Sequence, residues 1–216
     1  LLFNYFTAKP YFMDAKKEKE FKDLLLQYSQ ELAKENRQKI DEKIWSLFGE
    51  KKAVMITDMS GFTVLTERYG PVHYLSMIRR MQMTTDPILK SHHGMVVKFE
   101  ADNCFAVFDE PKHAVQAAIA LNLAFDAANI LTPDELDIKI SCGIDFGDIL
   151  LIDGDDMFGQ PVNLASKLGE DIAETGQILI TKNAMSMVPK ELDIKSTPVK
   201  HAISKVEIEG FEINYR

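Results

Sequence analysis

The sequence predicts an α+β fold: a mixed, mostly antiparallel sheet with helices packed on one face, preceded by a long N-terminal helix. Two observations carry this. From residue 52 onward, β-rich runs come in adjacent pairs mixed with single helical crossovers, a pattern that excludes a doubly wound parallel sheet. Ahead of them, residues 14–48 are dense in helix formers and contain no Gly or Pro. The 216 residues, 46% hydrophobic and 27% charged, suit one medium domain with an appendage. The expected division is a helical segment over 1–49 and a principal domain over 50–216.

In the helical segment, Phe21, Leu25, Tyr28 and Leu32 recur at spacings of four, three and four, and Ile40, Ile44 and Leu47 extend the stripe past Asn36. Such a stripe packs either on its own domain or against a second copy in a parallel two-helix seam, with Asn36 as a register-setting polar position; the seam is preferred. A strand follows at 52–58, closed by the small turn of "DMSGFT", then a helix near 61–68 and another over 72–91. Two strands, 95–100 and 103–108, flank the polar turn "EAD". Helix 112–128, strands 137–145 and 147–152, helix 160–172, strand 177–181, a short helix near 183–187 and a final antiparallel pair ending in "FEINYR" complete the pattern.

A formal net charge of −8 argues against nonspecific nucleic-acid binding, which rests on excess Lys and Arg. Cys104 and Cys142 lie in apolar strand-like runs without CxxC spacing and read as reduced core residues of a cytosolic protein. No run reaches the roughly 18 apolar residues of a membrane span. The chain opens on Leu1, so an excised piece of a longer protein is expected. "LLFNYF" followed by Lys9, Lys16, Lys17 and Lys19 suits either the cytoplasmic exit of a membrane helix or a linker from a soluble sensor domain.

Three stretches carry chemistry. In "VMITDMSGFT", the apolar strand ends on Asp58, and Ser60 and Gly61 turn the chain into a helix start. Asp58 or Ser60 could simply cap that helix. A carboxylate fixed beside free backbone N–H groups could also hold a metal and a phosphate. In "GMVVKFEADNCFAVF", Asp102 sits at a hairpin tip, where taken alone it reads as a turn-former. If the two strands are neighbours, Asp58 and Asp102 reach one point, and two aspartates with few other ligands suit Mg²⁺. In "DDMFGQPVNLASKLGE", Asn163 and Lys167 are four apart on one helix face; taken alone the pair reads first as a solvated face, and an amide and a cation at that spacing could also contact a ribose and a phosphate.

Taken in order, "DMSGFT", "HHGMVVKFEADNCFAVF" and "GIDFGDILLIDGDDMFGQPVNLASKL" resemble the catalytic domain of class III nucleotidyl cyclases, over roughly residues 50–216. The resemblance implies a ferredoxin-like fold working as a head-to-tail homodimer with active sites at the interface. One protomer would supply Asp58, the Met59 carbonyl and Asp102 for two divalent metals per site, Mg²⁺ or Mn²⁺. Gly61, Phe62 and Thr63 would approach the triphosphate. The partner would supply Lys98 and Asp156 for the base, Asn163 for the ribose and Lys167 for the reacting phosphate. Adenine offers an acceptor at N1 and a donor at N6, which a Lys and an Asp match; family members that use guanine carry Glu and a Cys-like residue instead. ATP is therefore the expected substrate, with a guanylyl cyclase or a turnover-deficient cyclase-homology domain as alternatives.

The sequence departs from the family at three places. Lys167 stands where most active members carry Arg, which has a planar fork an ammonium lacks. Ala101 replaces the usual Gly of the hairpin turn. Glu209 falls near a family position for a phosphate-binding Lys, with Lys205 a weak substitute. "DFG" at 145–147 lacks the other motifs of a kinase. "DGDD" at 153–156, and His92 with His93, read as polar residues of hairpins and turns.

Overall fold

The computed structural model describes residues 15–152, 155–203 and 206–216. Two helices stand where the sequence suggests one: α1 (Ala15–Gln30) and α2 (Lys34–Phe48). Glu31 sets the break. Its carboxylate accepts from the Ala33 N–H at 2.9 Å and from Asn36 Nδ2 at 3.3 Å, so side-chain bonds compete with continued helical pairing. Asn36 thus closes a turn within the chain. The helices fold back as a hairpin, with Phe21 edge-on to Phe48 at 5.1 Å between centroids and Lys43 Nζ 3.9 Å from Glu20. Phe21, Leu24, Ile44 and Phe48 are buried together, while Leu25, Tyr28, Leu32 and Leu47 of the expected stripe stay exposed.

Without an intervening loop, α2 enters β1 (Gly49–Met59). Gly49 permits this, since a Cβ there would lie 2.3 Å from the Trp45 carbonyl oxygen. Then come α3 (Phe62–Tyr69), α4 (Pro71–Ser91), β2 (Gly94–Glu100), β3 (Asn103–Phe108), α5 (Pro111–Asn129), β4 (Ile140–Ile152) and β5 (Asp156–Phe158). Next, α6 (Gln160–Ser166) continues as a π-helical turn (Lys167–Ile172), followed by β6 (Ile178–Thr181), α7 (Lys182–Ser186), β7 (Ser196–Ile203) and β8 (Val206–Ile213). The sheet order is β2-β3-β1-β4-β6-β8-β7 with β5 added to β4. Every pairing is antiparallel except β4 with β6. The α+β class with a mostly antiparallel sheet is as expected.

Both faces of the sheet are covered, which corrects the one-face expectation. Ala53, Met55 and Met59 of β1 pack with Met77, Met81 and Leu89 of α4 and Leu121 and Phe125 of α5. Val54 and Ile56, pointing the other way, pack with Val97, Val107, Ile149, Leu151, Met157 and Ala165 of α6. The unbroken apolar run "AVMI" in β1 is the sequence sign of a strand buried on both sides. Two glycines let α6 approach so closely: a Cβ on Gly143 would lie 2.0 Å from the Ala165 carbonyl oxygen, and one on Gly169 would lie 2.8 Å from that of Ile56.

β4 is one strand of 13 residues where the sequence suggests two. Its Asp145–Phe146–Gly147 segment resembles a turn, yet each polar or small residue there has a packing role. The buried Asp145 carboxylate accepts from the Thr181 hydroxyl, and Gly147 lies beneath Pro161. Of "DGDD", Asp155 is in a turn and Asp156 opens β5, paired with Ile152 of β4, while residues 153–154 lie outside the described residues. Lys205 and the opening "LLFNYF" segment also lie outside them. Cys104 and Cys142 are free and buried, and burial pushes both thiols up. No helix among the described residues is long and apolar enough to cross a membrane.

Candidate active site

Asp58, next to the last residue of β1, pairs with Asn103 on one side and Ser141 on the other. β2 and β3 are joined by two residues, Ala101 and Asp102, so Asp102 comes beside Asp58 although it is distant in sequence. Burial raises the Asp58 carboxyl to about 7, with repulsion from Asp102 and Glu170 adding to it. Burial also raises that of Asp102, which is 9% exposed. Among the described residues no Lys or Arg forms an ion pair with either acid, and the Asn103 Oδ1 beside them is buried without a partner.

The backbone adds a third oxygen. The Ser60 N–H donates to the Lys139 carbonyl at 2.9 Å. In an antiparallel ladder successive peptide groups alternate between neighbours, so the Met59 carbonyl faces away from β4, toward the turn that carries Asp102. Two crowded carboxylates and a main-chain carbonyl form a hard oxygen set lacking a counter-charge, which fits a divalent cation such as Mg²⁺ or Mn²⁺. No group of three or more His, Cys, Asp or Glu side chains suited to a metal occurs among the described residues. A cation here would therefore rely on water or substrate oxygens for its remaining ligands.

Beyond Asp58, Gly61 has φ +82° at the N-cap of α3, where an added Cβ would meet only Leu65 Cδ1, at an ordinary contact distance of 4.0 Å. Glycine is needed there for its conformation, not for room. Phe62 and Thr63 open α3, and their side chains lie outside the described residues. Ala101 takes φ +50°, the left-handed conformation a glycine would adopt without strain. The sequence departure at this turn thus has a conformational cost and leaves Asp102 in place.

Lys98 and Asp156 are brought together from β2 and β5. Lys98 Nζ lies 3.1 Å from Asp156 Oδ1 and 2.8 Å from Glu100 Oε2, with the Phe105 ring centroid at 4.8 Å. Burial works against the ammonium, but the hydrogen bonds it donates to Glu100 and Asp156 outweigh it and hold the Lys98 pKa above its ordinary value. Asp156 Oδ1 also accepts from the Met157 N–H at 2.8 Å, and among the described residues no hydrogen bond to Oδ2 occurs. Glu100 escaped the sequence reading; its place two residues from Lys98, on the same side of an extended strand, was the available signal.

On α6, Asn163 is exposed and Lys167 half-buried. The change to π geometry at Lys167 was not foreseen, and Gly169 within an otherwise helical run is its only mark in the sequence. That turn brings Glu170 near Asp58, and the Ser141 hydroxyl donates to the Gly169 carbonyl at 2.8 Å. No hydrogen bond or ion pair among the described residues joins Asp58 or Asp102 to Lys98, Asp156, Asn163 or Lys167. A cavity of about 670 Å³ opens beside Gln160 and Leu164 of α6 and includes none of these candidate residues. On its wall Glu209 pairs with Lys182 at 3.0 Å.

This fold and these residues meet in one class of enzyme domain. The chain belongs to the adenylate and guanylate cyclase catalytic domain family, whose model matches residues 49–214. It is 30% identical over 142 residues to "Putative adenylate cyclase 3" of Rhizobium meliloti (strain 1021), covering 66% of this chain and 24% of that protein. It is 29% identical over 128 residues to "Adenylate cyclase" of Streptomyces coelicolor, covering 59% and 32%. The chain thus matches only about a quarter to a third of the length of these relatives. Among solved structures, the adenylate/guanylate cyclase/hydrolase from Silicibacter pomeroyi superposes with a TM-score of 0.63 at 26% identity, covering 76% of this chain and 96% of that one. CyaB from P. aeruginosa, an adenylyl cyclase, superposes at 0.65 with 20% identity over 77% and 95%, a likeness of fold.

Proposed function

We propose that the chain is an adenylyl cyclase module that converts ATP to 3′,5′-cyclic AMP and pyrophosphate at sites shared across a homodimer. The Lys98–Asp156 pair at 3.1 Å supports ATP over GTP. Lys98 has one donor to spare for adenine N1, and Asp156 Oδ2 would accept from N6. Guanine would set donor against donor at N1 and acceptor against acceptor at O6. Each mispaired buried polar group costs roughly 1 to 3 kcal/mol. A guanylyl cyclase is the second reading, favoured only by the breadth of the family, and the intact Asp58–Asp102 pair argues against a turnover-deficient domain.

In the reaction the ribose 3′-oxygen attacks the α-phosphorus in line, and the bond to the bridging oxygen of the leaving pyrophosphate breaks. Asn163 orients the ribose, and Lys167 offsets charge that develops on the reacting phosphate. The N–H groups after Gly61 approach the triphosphate, as helix starts do for anions. Asp58, the Met59 carbonyl and Asp102 would hold two divalent cations, which when bound supply charge neutralisation and make the attacking hydroxyl more acidic. The 3′-hydroxyl proton passes to solvent or to a substrate phosphate oxygen, so that positioning and electrostatics suffice without a dedicated protein base. We assign α1 and α2 to relaying input from an upstream sensor or membrane domain, with catalysis on the cytoplasmic side.

The test is base exchange. Lys98→Glu with Asp156→Cys should depress ATP turnover and raise GTP turnover relative to it, with the metal requirement retained. An unchanged ATP-to-GTP ratio of kcat/KM in the folded double variant would remove the support for ATP.

A further inference from the structure

β5 is the least supported strand in the molecule's described part. It has three residues and pairs only with β4, through Leu150, Leu151 and Ile152. Its middle residue, Met157, is buried in the layer beneath α6 with Val97 and Leu151. By strand alternation Asp156 and Phe158 share the opposite side. Asp156 is held there by Lys98. Phe158 is held by α1, where the Phe21 ring stacks on it with centroids 5.9 Å apart and planes 16° from parallel.

The contact between α1 and this hairpin is broader than one stack. Phe21 and Leu24 also pack on Ile152, the last residue of β4, in a cluster with Ile44 and Phe48. On the same helix Lys22 is close enough to Asp155 for that charge to help raise its pKa, behind the larger contribution of Glu18. The helical hairpin therefore meets the β4–β5 hairpin at 152 and 158, on both sides of Asp156, and brings the charge of Lys22 toward Asp155. Phe158 remains 45% exposed even so, and α1 supplies its stacking partner.

From this geometry we propose that Phe21 is a positioning residue for nucleotide selection: by stacking on Phe158 it braces β5 and fixes the Asp156 carboxylate against Lys98. The proposal rests on the reading that Lys98 and Asp156 contact the base. With the brace in place the pair presents a fixed donor and acceptor spacing. Without it, a three-residue edge strand moves on its single row of hydrogen bonds, and discrimination between donor patterns falls. The N-terminal helices then act on substrate choice as well as on relaying input.

The experiment compares kcat and KM for ATP and GTP, each with Mn²⁺, in the parent chain and in Phe21→Ala, Phe21→Tyr and Leu24→Ala. An aromatic pair at this distance supports an expected fall of about 3- to 10-fold in the ATP-to-GTP ratio of kcat/KM for Phe21→Ala, carried mainly by a higher KM for ATP. Phe21→Tyr should restore the ratio, because the ring remains. Leu24→Ala loosens the same cluster but keeps both rings of the Phe21–Phe158 stack and should leave the ratio near that of the parent. Should Phe21→Ala fail to fold, Phe158→Ala replaces it, removing the other ring from a half-exposed position. An unchanged ratio in a folded ring-deleted variant, or an equal fall in Leu24→Ala, overturns the brace. Lys98→Glu with Asp156→Cys is measured alongside. If that variant shifts the ratio and Phe21→Ala does not, the brace fails and the base reading stands; if neither shifts it, both fail.

Discussion

Replacing Asp58 with Asn should make the metal-free protein more stable while abolishing cyclisation. In the folded chain burial and the neighbouring acids Asp102 and Glu170 raise the carboxyl from its ordinary 3.8 to about 7. One pKa unit corresponds to about 1.4 kcal/mol, so the full shift sets a ceiling of about 4 kcal/mol. Asp58 is only half-buried, and solvent screening reduces this to an expected 1 to 2 kcal/mol. The sign follows from linkage: a carboxyl whose folded pKa exceeds its unfolded value favours the folded state at low pH, and that advantage is lost as pH rises through about 7. Asn cannot ionise, so Asp58→Asn should match the parent near pH 4 and exceed it by about 1 to 2 kcal/mol at pH 8. Urea denaturation with a chelator present, followed across that range, measures the difference. Separate preparations without chelator, assayed with ATP and Mg²⁺, should show turnover in the parent and none in the variant. A variant no more stable than the parent at pH 8, or a stability difference that does not change with pH, would refute the electrostatic account of this site.

The remaining predictions concern the interface, the hairpin turn and α6. Mixing Asp58→Asn chains with Asn163→Ala chains, each inactive alone, should restore activity, because one of the two sites in a heterodimer keeps every group; confirmed heterodimers without activity would exclude shared sites. Ala101→Gly should relieve the positive φ at the β2–β3 turn, a strain of about 1 to 2 kcal/mol partly offset by glycine's entropy, for a net gain of about 0.5 to 1 kcal/mol. Thermal unfolding should show this as a Tm higher by about 1 to 4 °C. Lys167→Arg should raise kcat by about 3- to 10-fold with little change in KM, since the guanidinium fork matches phosphate oxygens better than an ammonium does; a lower kcat would mean that the π turn leaves no room for the longer group.

Much of this was legible in the sequence because local signals and burial agree. The apolar run into Asp58, the "EAD" turn and the four-residue spacing of Asn163 and Lys167 each describe neighbours along the chain, and the structure keeps them. Where the reading failed, the deciding contact came from elsewhere. Glu31 breaks the N-terminal helix because Phe21 and Leu24 find Ile44 and Phe48 once the chain folds back. Asp145 resembles a turn residue until Thr181, distant in sequence, hydrogen-bonds to it. β5 is too short to produce a periodic signal, and Glu100 acquires meaning only when Lys98 turns toward it.

The fold-back of α1 on α2 also has a mechanical consequence. A straight helix over residues 14–48 would be a stalk about 50 Å long, and a twist applied at its far end would reach the domain only through Gly49. As a hairpin, the segment brings Ala15 back beside the domain, so force enters at two places. Tension on Ala15 would peel α1 away from α2 one turn at a time, like a zipper, beginning in the turns before Phe21. Compression along α2 would bear directly on β1, since no slack lies between Phe48 and Gly49. The two loads differ in stiffness: peeling breaks few contacts at once and yields to weak forces, whereas the loop-free joint moves only with the strand that ends at Asp58.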